Sequence, residues 1–306
     1  VPASPAFLVE GILPAHEVHL LGGSSGSGKT TLVFQTLADW QDGLPVFGHE
    51  SYPVPYSYLS LDRSRSSVTR TLERLGLADR LTRVICQEHF KTSSNITSVV
   101  NSALQVHPDS ELLVIEGFQT LVGDRGNSYS PVSGLLRHTA TICSERKLTI
   151  LGVAHAPKMK IDEGFQHARE LILGSVAWGA YSDTIVTVQL DEATGNITVR
   201  VSPRNAAAET FHYVFGPNGV LTELSAAKPK ESIKLKIEAL APGCLLMRAD
   251  VRAWCQNYKT SDKTGDRAIA ECVKNKVLDP LEPGFYERTD RVPLKIAPDL
   301  ELTNDN

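Results

Sequence analysis

The sequence predicts an α/β protein: a parallel sheet covered by helices, with a smaller helical unit attached behind it. Three observations predict this. From about residue 17 to 215, short apolar runs alternate with amphipathic stretches of helical length, the pattern of right-handed strand–helix–strand crossovers. The glycine- and serine-rich stretch GGSSGSGKTT, residues 22–31, joins the first of these strands to the first helix. At residues 225–232, SAAKPKES interrupts the alternation with the small, charged, proline-containing chemistry of a linker.

The elements follow in order. EVHLLGG (17–23) is a strand, and a helix runs from Lys29 to about Trp40. PYSYLSLD (55–62) is the next strand and SSVTRTLERLG (66–76) the next helix. RVICQ (83–87) is a short strand, ITSVVNSALQVHP (96–108) a helix, and ELLVIEG (111–117) a strand of continuous apolar character closed by an acid. VSGLLRHTATICSERK (132–147) is the helix before the strand LTILGVAH (148–155). TIVTVQL and NITVRVS flank DEATGN, which reads as a hairpin at the sheet edge. Beyond the linker, IKLKIEALA, MRADVRAWCQNY and TGDRAIAECVKNKVLD are expected as three helices, and the turn-rich PLEPGFYERTD as a short wing. That order, over residues 233–297, describes a winged helix-turn-helix, and the polar tail 298–306 is expected to be disordered.

Composition bounds the rest. A length of 306 residues suggests about two domains, and 42% apolar with 22% charged residues is ordinary for a globular chain. No run of about 18 apolar residues is present, so no membrane span is expected. VPASPAFLVEGILP lacks the basic start and apolar core of a signal peptide. The five cysteines form no C-x-x-C pair, which argues against zinc and points to a reducing, cytoplasmic setting. Residues 1–225 hold 17 basic and 22 acidic residues, while 226–297 hold 14 basic and 10 acidic. The basic balance of the second unit permits nucleic-acid binding there.

Gly23, Gly28, Lys29 and Thr30 stand at G-x-x-x-x-G-K-[ST] spacing between a strand and a helix. Such a loop wraps phosphates with its backbone N–H groups, here from Gly23, Ser24, Ser25, Gly26, Ser27 and Gly28 into Lys29, Thr30 and Thr31. Lys29 supplies charge to the β- and γ-phosphates of ATP, and the Thr30 hydroxyl is placed for Mg²⁺. Three further groups are needed at strand ends: an acid that organises the metal, an acid that activates water and a sensor of the γ-phosphate. Glu116, Asp62 and His155 are the candidates, although a strand-terminal acid also serves as a cap and a histidine as a core residue.

The ordered set LVEGILPAHEVHLLGGSSGSGKTT, PYSYLSLDRSRSSVTRTLERLGL, ELLVIEGFQTL and TILGVAHAPK resembles the RecA-like ring ATPases over about residues 7–224. Within them it is most similar to the plasmid RepA-type hexameric helicases, with the DnaB helicases more distant. The resemblance implies a RecA-like core, ATP hydrolysis with Mg²⁺ at subunit interfaces, and translocation on single-stranded DNA by a homo-hexameric ring, with replication-initiation partners in a bacterial, plasmid- or phage-encoded system. By position it implies that Asp62 activates water, Glu116 holds the metal and His155 senses the γ-phosphate. It implies that Arg204 reaches a neighbouring subunit's ATP, with Ser202 replacing a companion lysine. Both acids are exchanged relative to that family, aspartate for glutamate at 62 and glutamate for aspartate at 116, which implies slow hydrolysis or none.

Two loops of the family line a DNA channel. Here they carry Arg125 in one and Lys158, Lys160 and Arg169 in the other. In the second unit the third helix presents Lys263, Arg267, Lys274 and Lys276, for contact with DNA or with a protein partner. The function expected is an ATP-dependent DNA helicase. The alternatives are an ATP-switched DNA-binding or loading protein that does not unwind, and an ATP-binding scaffold without turnover.

Overall fold

A computed structural model describes residues 6–90, 95–126, 128–155, 176–192, 194–224 and 233–289, with 235–236, 239, 241–242 and 258–261 excepted. The chain divides into two compact units, Val1–Glu223 and Leu224–Asn306.

In the first unit, β1 (Phe7–Val9) and β2 (Leu13–Pro14) form a small antiparallel pair. The main sheet is built from β3 (Val18–Gly23), β4 (Tyr56–Ser60), β5 (Val84–Ile85), β6 (Leu112–Glu116), β7 (Thr149–His155), β8 (Thr184–Leu190), β9 (Asn196–Pro203), β10 (Glu209–Phe215) and β11 (Leu221–Glu223). Its order is β11-β10-β9-β8-β3-β7-β6-β4-β5. From β8 through β5 neighbouring strands are parallel, and β8 to β11 form an antiparallel run.

Among the described residues, five helices cover the two faces: α1 (Lys29–Gln41), α2 (Arg65–Arg74), α3 (Ile96–Val106), α4 (Tyr129–Arg146) and α5 (Val176–Ala180). The side-chain alternation of a strand explains how one sheet serves both layers. On β6, Leu112 and Val114 join the core under α1 and α2, whereas Leu113 and Ile115 join the core under α3, α4 and α5. Asn95 caps α3 and Ser64 caps α2, each side chain accepting from a backbone N–H of the first turn. β7 lies between β3 and β6, so the ends of the glycine-rich strand and of the Glu116 strand flank the end that carries His155.

The structure differs from the sequence expectation at the sheet edge. The antiparallel run continues past the DEATGN turn through β10 and β11, where no strands were expected. TFHYVF mixes polar and apolar residues without clean alternation, because Phe211 is only partly covered while Tyr213 and Val214 are buried.

The second unit contains helical positions at 233–234 and 237–238, a strand β12 (Leu245–Met247) and helices Arg248–Asn257 and Asp262–Lys274, followed by β13 (Leu278–Glu282) and β14 (Phe285–Arg288). The three strands form one sheet in the order β12-β14-β13. The last helix stops at Lys274, short of the expected VLD, because Lys276 takes a left-handed φ of 58° and Leu278 starts a strand. Gly265 lets the two long helices approach closely, since a Cβ there would stand 2.6 Å from Cys255 Sγ. The polar tail 298–306 lies outside the described residues. Among those residues no helix is long and apolar enough to cross a membrane.

His19 on β3 is fully buried, and its Nε2 donates to the Pro14 carbonyl at 2.9 Å. Burial pushes its pKa down from 6.5 to about 4. Between those values the unfolded chain takes up a proton that the folded chain refuses, so stability falls as pH falls. The expected loss from this residue between pH 7 and pH 5 is about 2 kcal/mol. His19→Gln should flatten that part of the profile, as read from urea unfolding midpoints of both proteins at the two pH values.

Candidate nucleotide site

The glycine-rich loop follows β3 without slack. A Cβ at Gly23 would stand 2.4 Å from the Val188 carbonyl oxygen on β8 and 2.8 Å from Ser27 Oγ, so the strand end tolerates no side chain. Gly28 has a φ of 95° and caps α1 with the ring of Phe215 beside it. The loop therefore ends on a helix N-terminus, where free N–H groups favour a phosphate. Lys29 curls back over it, donating from Nζ to the carbonyls of Gly23 at 2.8 Å and Ser24 at 2.7 Å. Burial pushes its pKa down to about 8, against the opposing charges of Glu116 and Asp62.

Glu116 points to the same place because of strand parity. It shares a face with Val114 and Leu112, the face that meets α1. Its Oε1 accepts from Thr30 Oγ1 at 2.5 Å. Its Oε2 accepts from the buried Tyr58 hydroxyl and from Ser60 Oγ at 3.4 Å, and lies 3.7 Å from Arg63 Nη1. Tyr58 and Ser60 stand on β4, opposite Val114 and Glu116 in the ladder.

Asp62 lies just past β4 and is exposed in the cleft. Desolvation by the cleft walls and then the Glu116 charge raise its carboxyl pKa, while His155 opposes the rise. Gly117, at φ 76°, makes room for it, since a Cβ there would stand 2.9 Å from Asp62 Cγ. His155, at the end of β7, has Nδ1 3.4 Å from Lys29 Nζ. Desolvation and then the Lys29 charge lower its pKa, against the charges of Asp62 and Glu116.

These side chains surround one cavity of about 590 Å³. It brings together Ser25, Gly26, Gly28, Lys29, Thr30, Thr31, Asp62, Glu116 and His155 from the sequence-predicted set. The sequence reading missed Arg63, Thr71, Arg74, Phe215 and Gly219, which line the same cavity. Arg63 donates to Ser67 and Thr71 on α2, and Arg74 donates to the Asn218 carbonyl in the β10–β11 turn at 2.7 Å. An arginine directly after Asp62 was the available signal for the first. Phe215 and Gly219 come from strands and a turn that the sequence pattern did not announce.

The oxygen donors suit Mg²⁺, a hard cation that keeps several waters and takes one or two protein groups plus phosphates. The Thr30 hydroxyl and the Glu116 carboxylate face each other at the loop, and either oxygen set can hold such an ion or its waters. Among the described residues no group of three or more His, Cys, Asp or Glu is placed to hold a metal without other ligands.

The remaining expected residues lie elsewhere. Arg204 follows β9, whose Pro203 pairs with Thr184 at the start of β8, whereas Gly23 is level with Val188. It is therefore at the opposite end of the sheet, paired with Asp183 at 3.3 Å and donating to the carbonyls of Ala180 and Ser182. Arg125 is exposed at the end of the 3₁₀ stretch Phe118–Arg125 that follows β6. Lys158, Lys160 and Arg169 lie outside the described residues. Lys263, Arg267 and Lys274 are exposed along one helix of the second unit, at spacings that put them on one face.

Residues 1–160 match the model of a family described as an AAA domain. Among solved structures, a KaiC-like protein from the hyperthermophilic archaeon Pyrococcus horikoshii OT3 is similar over 70% of this chain and 93% of that one, with 17% identity and a TM-score of 0.47. No curated protein matches.

The space at Gly117 yields a test. Gly117→Ala puts a methyl against Asp62 and forces a left-handed backbone that costs about 1–2 kcal/mol. Displacing a reacting group by about 1 Å costs about 10²-fold in rate. With Asp62 in the water-activating role expected from the sequence, the variant should bind nucleotide as the wild type does and hydrolyse ATP about a hundredfold more slowly, measured by fluorescent-nucleotide titration and phosphate release.

Proposed function

The chain belongs to the family described as an AAA domain, and from that premise we propose that it is built as a RecA-like P-loop ATPase and acts as an ATP-dependent DNA helicase on single-stranded DNA. One observation carries the ATPase half of the proposal. Lys29, Thr30, Glu116, Asp62 and His155, from four separate segments, line a single cavity at the end of a glycine-rich loop. The loop and Lys29 hold the phosphates of ATP, and Thr30 with Glu116 holds Mg²⁺. An ion held there would supply positive charge against that developing on the phosphoryl group. Asp62 takes a proton from the attacking water, and its raised pKa favours that role. His155, 3.4 Å from the Lys29 ammonium, is placed to register whether a γ-phosphate is present.

The DNA half rests on the ordered motifs and on the second unit. Two helices, a returning hairpin and a third strand follow the order of a winged helix, and we read residues 233–289 as one. Its helix Asp262–Lys274 exposes Lys263, Arg267 and Lys274 on one face, a pattern that suits phosphate contact. In the proposed ring of six copies, Arg125 faces the strand in the channel.

A second reading, an ATP-switched DNA-binding or loading protein that does not unwind, is favoured by Arg204. Its guanidinium is engaged by Asp183 and two carbonyls of its own chain instead of projecting toward a neighbour.

Two expectations follow. Single-stranded DNA should stimulate phosphate release by the wild type, Lys29→Ala should abolish it, and a forked duplex should be unwound only when ATP is present. Stimulated hydrolysis without unwinding selects the loading protein, and no hydrolysis rejects both. Replacing Lys263, Arg267 and Lys274 together by alanine should weaken DNA binding and reduce the slope of log affinity against log salt by about 3. An unchanged slope would assign that helix to a protein partner.

A further inference from the structure

We propose that Tyr58 is the positioning residue that fits a glutamate, instead of a shorter acid, to the metal-organising place at 116; this rests on the ATPase reading above. The side chain of Glu116 has one more rotatable bond than an aspartate, so its carboxylate must be pinned before it can act at a fixed point. The two oxygens divide the task. Oε1 faces the Thr30 hydroxyl at 2.5 Å, on the side of the phosphate loop. Oε2 is turned to the scaffold, where it accepts from Tyr58 and Ser60 on the neighbouring strand and lies 3.7 Å from Arg63.

Tyr58 is suited to pinning because it is buried and packed on α1. It is 1% exposed, and its ring lies 4.7 Å from that of Phe34 on α1, the helix that carries Lys29 and Thr30. A buried phenol hydroxyl needs a partner, and Glu116 is the one that the structure provides. The phenol therefore fixes the carboxylate relative to the helix on which the metal's other protein ligand stands. An aspartate at 116 would withdraw the carboxylate by one carbon–carbon bond, about 1.5 Å, and lose the phenol. Tyr58 and Glu116 thus act as a pair, and the length of the acid is matched to the tyrosine on the adjacent strand.

The pair predicts coupling, which a merely structural tyrosine would not show. Mn²⁺ serves as the probe, its binding to the ADP complex of the full chain followed by electron paramagnetic resonance. The proteins are wild type, Tyr58→Phe, Glu116→Asp and the double variant. Tyr58→Phe keeps the ring packing and removes the hydroxyl alone. It should weaken Mn²⁺ binding about tenfold while leaving metal-free ADP binding unchanged. In the Glu116→Asp background the same change should have no further effect. Equal loss in both backgrounds, or none in either, overturns the proposal. Should Tyr58→Phe not fold, Glu116→Asp alone decides: about tenfold weaker Mn²⁺ binding is expected, and equal or tighter binding overturns the proposal. A wild type that binds Mn²⁺ with ADP but hydrolyses no ATP defeats the ATPase reading and leaves the cycle to judge the pairing. A wild type that binds no Mn²⁺ with ADP defeats the pairing itself.

Discussion

The hydrogen bond between Thr30 and Glu116 joins the two halves of the site. Thr30 sits on the first turn of α1, and Glu116 at the end of β6, with β7 standing between β6 and the strand that feeds α1. The ladder pairs Gly23 with His155 but Glu116 with Val153, so β3 and β7 end level while β6 stops two residues short of them, and the Glu116 side chain spans the step to Thr30. Everything else in the cavity is arranged around this crossing point. Lys29 precedes Thr30 by one residue, Asp62 lies across from Gly117, and His155 ends the strand in the middle. The electrostatics have the same centre, because Glu116 appears among the influences on Lys29, Tyr58, Asp62 and His155.

Much of this half was legible in the sequence. A loop of glycines between strand and helix has few physical meanings, and Gly23 shows why, with no space for even a methyl group. The acid closing ELLVIE was legible because buried strands rarely end on an idle charge, and strand parity then dictates which layer it meets. Tyr58 was not legible as a partner. Its role depends on the register between β4 and β6, which local pattern does not specify. Arg74 and Phe215 were hidden for a related reason, since they reach the cavity only because β10 and β11 fold back beside α1. Arg204 was legible as an arginine at the end of an edge strand, but its ion pair with Asp183 depends on the antiparallel register of β8 and β9.

The second unit was read from helix periodicity and turn chemistry, and the two long helices and the returning strands lie close to the expected spans. What the pattern concealed was β12. Leu245 and Met247 are exposed while Leu246 between them is buried, so a short edge strand resembled the start of the next helix. The buried core of this unit draws on Ile233 and Ile237 as well as on the helices and strands.

The central place of β3 bears on where this protein can be divided. The family match stops at residue 160, but β3 pairs on one side with β8, which begins at Thr184. A fragment ending near 160 would leave the glycine-loop strand at a raw sheet edge, its backbone groups open to pairing with other chains. It would also lose the contacts of Val188 with Gly23 and of Phe215 with Gly28 that pack the loop from behind. The sheet that carries the glycine-rich loop therefore extends beyond the stretch of family similarity, through β8 and on to the edge strand β11.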